Sequence, residues 1–489
     1  MASLNNADFD RIRAEAQAAV GEYHLPGIGV GVVSGDDLVF SEGFGFADIE
    51  SGKKQEPEHR QRIGSITKTM VALSTMALVE EGKLSLTDRL VDHIPDVKFH
   101  GPADAITIRH ILTHTSGIGE APLPAQIRNI DPTLWSEKPF APPIAEAYPE
   151  GIAVEVEPGT KWAYANHAFA LLGEIVMRAE RVDSVDDVLR KRVFEPLGMK
   201  NTDCHDMPHA DLTTGYHRAP TQDAIDLAKQ AGAELPKVEG ELVDGHNYRG
   251  HYQYVKGRSA GAVQSTIPDM ARYASALLRK SAGIVKPGTF DQMTAPQWCP
   301  DERLQSIGYA FFRERRFGRM AFEHGGGVAG GWGTGMWIFP EENLAVLTHC
   351  NMNTDKPISM RIMRALFDAA APKPTERAVD SDVLANAPGV YQAPMPGPLT
   401  NLRIITGIGR IQITEDAGGL MLHARRGPWK DGAPMLPADE DDLGFFELET
   451  EAIERPHVVL LRDADGAVTG LRFDLLVEME RTNDDLAWV

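Results

Sequence analysis

A chain of 489 residues with 43 % hydrophobic content is long enough for two domains and for a sizeable core. Seventy acidic against 49 basic residues leave a formal net charge of −21, which repels phosphate backbones and anionic bilayers and so excludes nucleic acid and membrane surfaces as partners. The three cysteines, Cys204, Cys299 and Cys350, are far apart and lack the spacing of a zinc site or a disulfide framework, which fits a reducing compartment.

The first twenty residues alternate charged and small side chains without an apolar core, and no stretch reaches eighteen consecutive apolar residues, so a cytoplasmic location is expected. Residues 8–20 have helical periodicity. The Gly/Val-rich run Ile28 to Ser34, the turn Gly35-Asp36-Asp37 and Leu38-Val39-Phe40 read as a hairpin. A polar turn, Ser51 to Arg60, then leads to Arg62-Ile63-Gly64-Ser65-Ile66-Thr67-Lys68-Thr69-Met70. That stretch opens an apolar run to Val79, predicted as a buried helix with Ser65 at its start and its end at Gly82-Lys83.

A serine and a lysine three residues apart share one face of a helical turn, so the Lys68 amine reaches the Ser65 hydroxyl. Serine needs a neighbour to take its proton, and a lysine in apolar surroundings near a helix N-terminus can lose its own. The same spacing in Ser51-Gly52-Lys53-Lys54 sits in a polar turn with no apolar helix behind it, which selects Ser65.

Downstream, Ile106 to Ile118 reads as a second apolar helix ending in a Ser-Gly turn. Its His110 and His114 are four apart, but no third ligand lies nearby, so helix-end histidines bonded to backbone are expected and no metal. Residues 121 to 160, rich in proline, read as a long loop, followed by Tyr164-Ala165-Asn166 and an apolar helix from Ala168 to Val176. A further helix reaches Phe194 to Met199. Residues 205 to 258 read as an insertion acting as a lid or cap, with a charged helical piece at 224–233. Ser265 to Asp269 has the hydroxyl, proline and acid of a helix start. Gly330 to Phe339 and Leu344 to Cys350 form a hairpin around Pro340 to Asn343, and Met360 to Ala369 a closing helix. Ala371-Pro372-Lys373-Pro374-Thr375 marks a domain boundary, giving domains 1–371 and 376–489. Beyond it, short alternating runs such as Leu402 to Ile405, Gly419 to Leu422 and Val458 to Leu461 predict a small antiparallel β-barrel or sandwich.

Four groups in chain order suggest one chemistry. Tyr164 has an ordinary pKa near 10, and a lysine ammonium beside it favours its phenolate. It is the candidate general base, taking the proton of Ser65 and later delivering it to the leaving group. Asn166 offers a carbonyl and an amide to Lys68 and to substrate. His324-Gly325-Gly326-Gly327 leaves a strand edge bare of side chains, where an acyl substrate can lie. The backbone N–H groups of Ser65 and Gly327 are the candidate oxyanion hole.

Ser65-Ile66-Thr67-Lys68, Tyr164-Ala165-Asn166 and His324-Gly325-Gly326 together resemble the serine β-lactamase and penicillin-binding-protein superfamily, in its class C β-lactamase and D-aminopeptidase branch. The segments Ile108 to Ile118 and Phe194 to Met199 are similar to family segments as well, and the likeness runs over about residues 8 to 370. It implies an α/β (α+β) fold: an antiparallel sheet flanked by helices, with an all-helical subdomain carrying the tyrosine. It also implies an acyl-enzyme on Ser65. His-Gly-Gly stands where class C β-lactamases carry Lys-Thr-Gly. A histidine, largely neutral at pH 7, holds a substrate carboxylate less firmly than lysine, so this chain resembles D-aminopeptidases, some DD-peptidases and related esterases more than a dedicated β-lactamase. The small C-terminal β-domain is similar to those that accompany such hydrolases.

The expected function is a serine hydrolase of small esters or amides, including D-amino-acid peptides or amides. Ser65, Lys68 and Tyr164 are expected to be catalytic, with Asn166, His324, Gly325 and Gly326 on the substrate, and neither metal nor organic cofactor is required. A weak β-lactamase or DD-peptidase-like enzyme and a non-catalytic peptide-binding module are the alternatives. Assembly into a homo-oligomer is compatible with the chain.

Overall fold

A computed structural model describes residues 4–119, 135–136, 139, 143–218, 242–354, 356–369, 378–392, 410–424, 429–439, 442–449, 456–473 and 477–482. Six helices organise the larger part: α1 (Asn6–Glu22), α2 (Thr67–Glu80), α3 (Ile108–Leu112), α4 (Asn166–Glu180), α5 (Ile267–Leu278) and α6 (Ile358–Phe367). The sheet strands are β1 (Gly27–Ser34), β2 (Asp37–Asp48), β3 (Lys53–Lys54), β4 (Ser306–Ile307), β5 (Phe312–Arg316), β6 (Arg319–Val328), β7 (Trp332–Phe339) and β8 (Leu344–Cys350). They pair in the order β4-β5-β6-β7-β8-β1-β2-β3, antiparallel throughout, so the first hairpin and the late strands close one sheet.

The period-2 alternation of strands decides which helix lies on which face. From β1, Ile28, Val30 and Val32 point into a core with Ile12, Ala16 and Ala19 of α1 and Ile362 and Leu366 of α6. The opposite face carries Gly29 and Gly31, and a Cβ at Gly31 would stand 2.7 Å from Ile267 Cγ2. The missing side chains let α5 lie close against the sheet. The Gly/Val composition of this run therefore records two faces with different loads.

Helix α2 is buried from Thr67 to Leu78, inside the larger core with Phe169, Leu171 and Leu172 of α4 and Met270 and Tyr273 of α5. A helix apolar on all sides must be enclosed by others. It ends as expected, with Gly82 in the left-handed region at φ 71°. At its other end a 3₁₀ turn, Gly64–Ile66, precedes the α-helix, so Ser65 sits in that turn just ahead of α2. The predicted cap at Ser265 to Asp269 is formed: Thr266 accepts the Asp269 N–H at 3.3 Å.

The helix expected over Ile106 to Ile118 is shorter. Thr107 caps it, so α3 starts at Ile108, and it stops at Leu112 because His114 adopts φ 56°, which no α-helix continues. Ile118 then bridges Val154. The charged segment 224–233, the proposed boundary Ala371 to Thr375, the run Leu402 to Ile405 and much of 121–142 lie outside the described residues.

Eight strands from Gly389–Gln392 to Val477–Thr482 close into an antiparallel barrel, the last pairing with the first at Val390↔Thr482. Closure removes the free edges that an open sandwich would expose. Its own core includes Tyr391, Ile411, Leu422, Phe446 and Leu471. The barrel meets the larger part beside β4 and β5, where Arg303 pairs with Asp442 and Arg472 donates to the Pro300 carbonyl at 2.9 Å. Among the described residues no helix is long and apolar enough to cross a membrane.

Candidate active site

The turn that carries Ser65 is pressed against β6, and two glycines make that approach feasible. Gly64 has φ 54°, and a Cβ there would stand 2.8 Å from the Gly327 nitrogen. A Cβ on Gly326 would stand 2.0 Å from the Ile63 carbonyl oxygen. The contact is closed by the Thr334 hydroxyl of β7, which donates to that same carbonyl at 2.9 Å. The glycines of β6 therefore divide their roles. Gly326 admits the serine turn, Gly327 faces the Asn353 amide, and only Gly325 leaves open space, its nearest neighbour being Thr334 O at 3.7 Å.

Between Gln61 and Leu78 every residue is buried except Ser65, which is partly open to solvent. Lys68 has no exposed surface. Its Nζ donates to Ser65 Oγ at 2.9 Å, to Asn166 Oδ1 at 2.7 Å and to the Ala260 carbonyl at 2.5 Å. It also lies 4.9 Å from the centre of the Tyr164 ring and 5.7 Å from that of Phe169, near aromatic faces that favour a cation. Asn166 opens α4 and Tyr164 lies two residues before it, so one chain segment brings both to the lysine.

His324 is 2 % exposed. Its Nδ1 lies 2.6 Å from the Gly325 carbonyl, which can only accept, so the ring hydrogen is on Nδ1 and Nε2 carries a lone pair. Nε2 is buried and has no hydrogen-bond partner among the described residues. Burial, and after it the Lys68 charge, pushes the His324 pKa down to about 3, so the ring is neutral at working pH.

The structure thus brings Ser65, Lys68, Tyr164, Asn166 and His324 around one point, with Gly325, Gly326 and Gly327 along its edge. Sequence reasoning missed an aromatic wall. Phe312 of β5 stacks on Tyr164 at 6.4 Å, and reaches Trp162 at 6.2 Å and His324 at 5.3 Å between ring centres. No local pattern tells that, of the pair Phe311-Phe312, the second faces the site while the first is buried in the core. His110 and His114 are bonded to backbone groups, as expected of helix-end histidines, but the stacking of His114 on the tyrosine has no sequence signal. His110 Nδ1 accepts the Thr107 N–H at 3.2 Å to close the α3 cap, and His114 stacks on Tyr164.

Behind the site, Arg62 and Asp206 form an ion pair of 2.8 Å with 0 % and 1 % side-chain exposure. Arg62 also donates to the Gln253 carbonyl at 2.6 Å and lies over the Tyr252 ring at 4.4 Å. The insertion between 205 and 258 is thereby fastened to the residues just ahead of Ser65.

Comparison with known proteins gives the family and the fold. The family profile described as Beta-lactamase matches residues 12–371. Protein flp of Staphylococcus aureus (strain MW2) is 28 % identical over 181 residues, 37 % of this chain and 35 % of that protein, so the match spans about a third of the relative's length. The octameric penicillin-binding protein homologue from Pyrococcus abyssi superposes over 97 % of this chain and 100 % of its own, with a TM-score of 0.61 and 22 % identity. The D-amino acid amidase from Ochrobactrum anthropi SV3, in complex with L-phenylalanine amide, covers 74 % of this chain and 99 % of its own with a TM-score of 0.59 and 21 % identity. At these identities the two structures show the fold.

Proposed function

The chain belongs to the beta-lactamase family of serine hydrolases, and from that premise we propose that it cleaves small carboxylic esters or amides, D-amino-acid amides and peptides among them, through an acyl-enzyme on Ser65. The observation that carries this reading is the contact of Lys68 Nζ with Ser65 Oγ at 2.9 Å and Asn166 Oδ1 at 2.7 Å, in a buried pocket beside the Tyr164 ring.

In this mechanism the Lys68 ammonium favours the Tyr164 phenolate, which takes the Ser65 proton as Oγ attacks the substrate carbonyl. The backbone N–H groups of Ser65 and Gly327 receive the oxyanion, and Tyr164 then passes the proton to the departing alkoxide or amine. Water enters along the same path and releases the acid. Asn166, His324, Gly325 and Gly326 position the acyl group. A neutral His324, whose only ring hydrogen is donated to Gly325, offers no cation to a substrate carboxylate, which favours esters and amides over carboxylate-bearing β-lactams. The fold shared with a D-amino acid amidase supports the same substrate class.

Pre-steady-state release of p-nitrophenol from a short-chain p-nitrophenyl ester tests nucleophile and mechanism together. A burst near one equivalent per site in the wild type, absent in Ser65→Ala, is the expected result, and steady release lost in the mutant leaves the nucleophile standing. Equal release from both proteins overturns the reading. D- and L-amino-acid p-nitroanilides, with nitrocefin beside them, then rank the substrates.

A further inference from the structure

His114 makes three separate contacts with the short segment that carries Tyr164. Its carbonyl accepts the Ala163 N–H at 2.8 Å, and its Nδ1 accepts the Ala165 N–H at 3.1 Å. The residues on either side of Tyr164 are therefore both tied to one histidine. The imidazole lies between these bonds and stacks on the phenol ring, with centres 4.3 Å apart and planes 24° from parallel. A tyrosine flanked by two anchored peptide units and held by a ring across its face has little freedom to swing.

The backbone at His114 is built for this role. Its φ of 56° ends α3 and turns the chain so that carbonyl and side chain reach the same neighbouring segment. A non-glycine residue in the left-handed region costs free energy, on the order of 1 kcal/mol, which tertiary contacts must offset. Because Nδ1 accepts, the ring hydrogen is on Nε2, buried and without a hydrogen-bond partner among the described residues. The side chain thus keeps one bond at the cost of leaving its other nitrogen unsatisfied, which marks the Ala165 contact as the one that matters.

We infer that His114 is the positioning residue for Tyr164, fixing the phenol ring beside Lys68 through the ring stack and the two flanking backbone bonds. The inference rests on the reading of Tyr164 as the general base. His114 itself exchanges no proton: burial, and after it the Lys68 charge, holds its pKa well below the ordinary histidine value, so it is neutral across the working range. Among the described contacts, the titratable groups that face Tyr164 include Lys68 from α2, His324 from β6 and His114, and the two histidines are neutral near neutral pH.

Two variants separate the contacts. His114→Phe keeps the stack and removes the acceptor for Ala165, and it also removes the unsatisfied Nε2–H. His114→Asn keeps an acceptor at the same position and loses the stack, and asparagine tolerates the left-handed backbone well. Each is compared with the wild type for melting temperature, kcat, KM and the pH profile of kcat on a p-nitrophenyl ester. The expected result is a fall in kcat of about tenfold or more in both, from a displaced base, with KM within about threefold. The acidic limb of kcat should move to higher pH, because a loosened phenol and entering water weaken its pairing with Lys68. A purely structural role would lower the yield of active protein and leave that limb in place. Wild-type kcat and an unmoved limb in either folded variant overturn the inference. Tyr164→Phe runs alongside. If it is inactive while the His114 variants match the wild type, only the positioning role falls; if it keeps wild-type kcat, the base reading falls and the inference with it.

Discussion

Replacing Asp206 by alanine leaves the Arg62 guanidinium at 0 % exposure with no carboxylate before it. The same change strands the Tyr252 hydroxyl, which donates to Asp206 at 3.0 Å, and the Val255 N–H. An uncompensated buried charge costs about 3–5 kcal/mol, so about 4 kcal/mol is the working value. Unfolding entropy is roughly 2.1 cal/mol/K per residue. Over the segment 12–371 that gives about 0.75 kcal/mol/K, and the melting temperature should fall by about 5 °C. Burial pushes the Asp206 carboxyl above its usual range even with Arg62 beside it, so the pairing returns less than the desolvation of the carboxylate takes. Replacing both partners, Arg62→Met with Asp206→Leu, removes the stranded charge but still leaves the Tyr252 hydroxyl and the Val255 N–H unpaired, so the double variant should melt between the single variant and the wild type. Differential scanning calorimetry of wild type, single and double variants decides it. A single mutant that melts within 1 °C of wild type, or a double mutant that melts as low as the single, refutes the reasoning.

Four further outcomes follow from the same geometry. Gly326→Ala would put a Cβ 2.0 Å from the Ile63 carbonyl and push the serine turn off β6, so kcat/KM should fall by about 10²-fold. Gly325→Ala meets nothing closer than 3.7 Å and should fold as the wild type does, which melting curves will show. Burial depresses His114, His324 and His349, the last two to about 3, so the unfolded chain binds more protons below its ordinary histidine pKa of about 6.5. Stability should then be full above that pH and decline as the pH falls toward 3. Each histidine contributes up to about 1.4 kcal/mol per pH unit. Melting temperatures measured between pH 7.5 and 5 should drop, and less steeply in His349→Asn; a flat profile would contradict the burial argument. Activity should show no limb near 6.5 from His324, and a limb there that disappears in His324→Gln would show that the ring titrates in the ordinary range.

The amino-acid order alone determined what is local. An apolar run behind Gly-Ser-x-x-Lys can only be a buried helix with a hydroxyl and an amine on one face, and Gly/Val alternation can only be a strand with two unlike faces. Turn chemistry at Gly82, Thr266 and Pro340 to Asn343 set element ends for equally local reasons. Tertiary structure decided whatever depends on residues far apart in the chain meeting. The meeting of Phe312 with Tyr164, Arg62 with Asp206 and Gly326 with Ile63 leaves no mark on the neighbours of either partner. His114 shows the difference most sharply: a histidine at a helix end is expected to bond backbone, but only the fold decides that its left-handed backbone and its bonds to Ala163 and Ala165 turn it toward a segment some fifty residues away. Side-chain type fixes what a residue can donate or accept, but only packing fixes which partner is within reach.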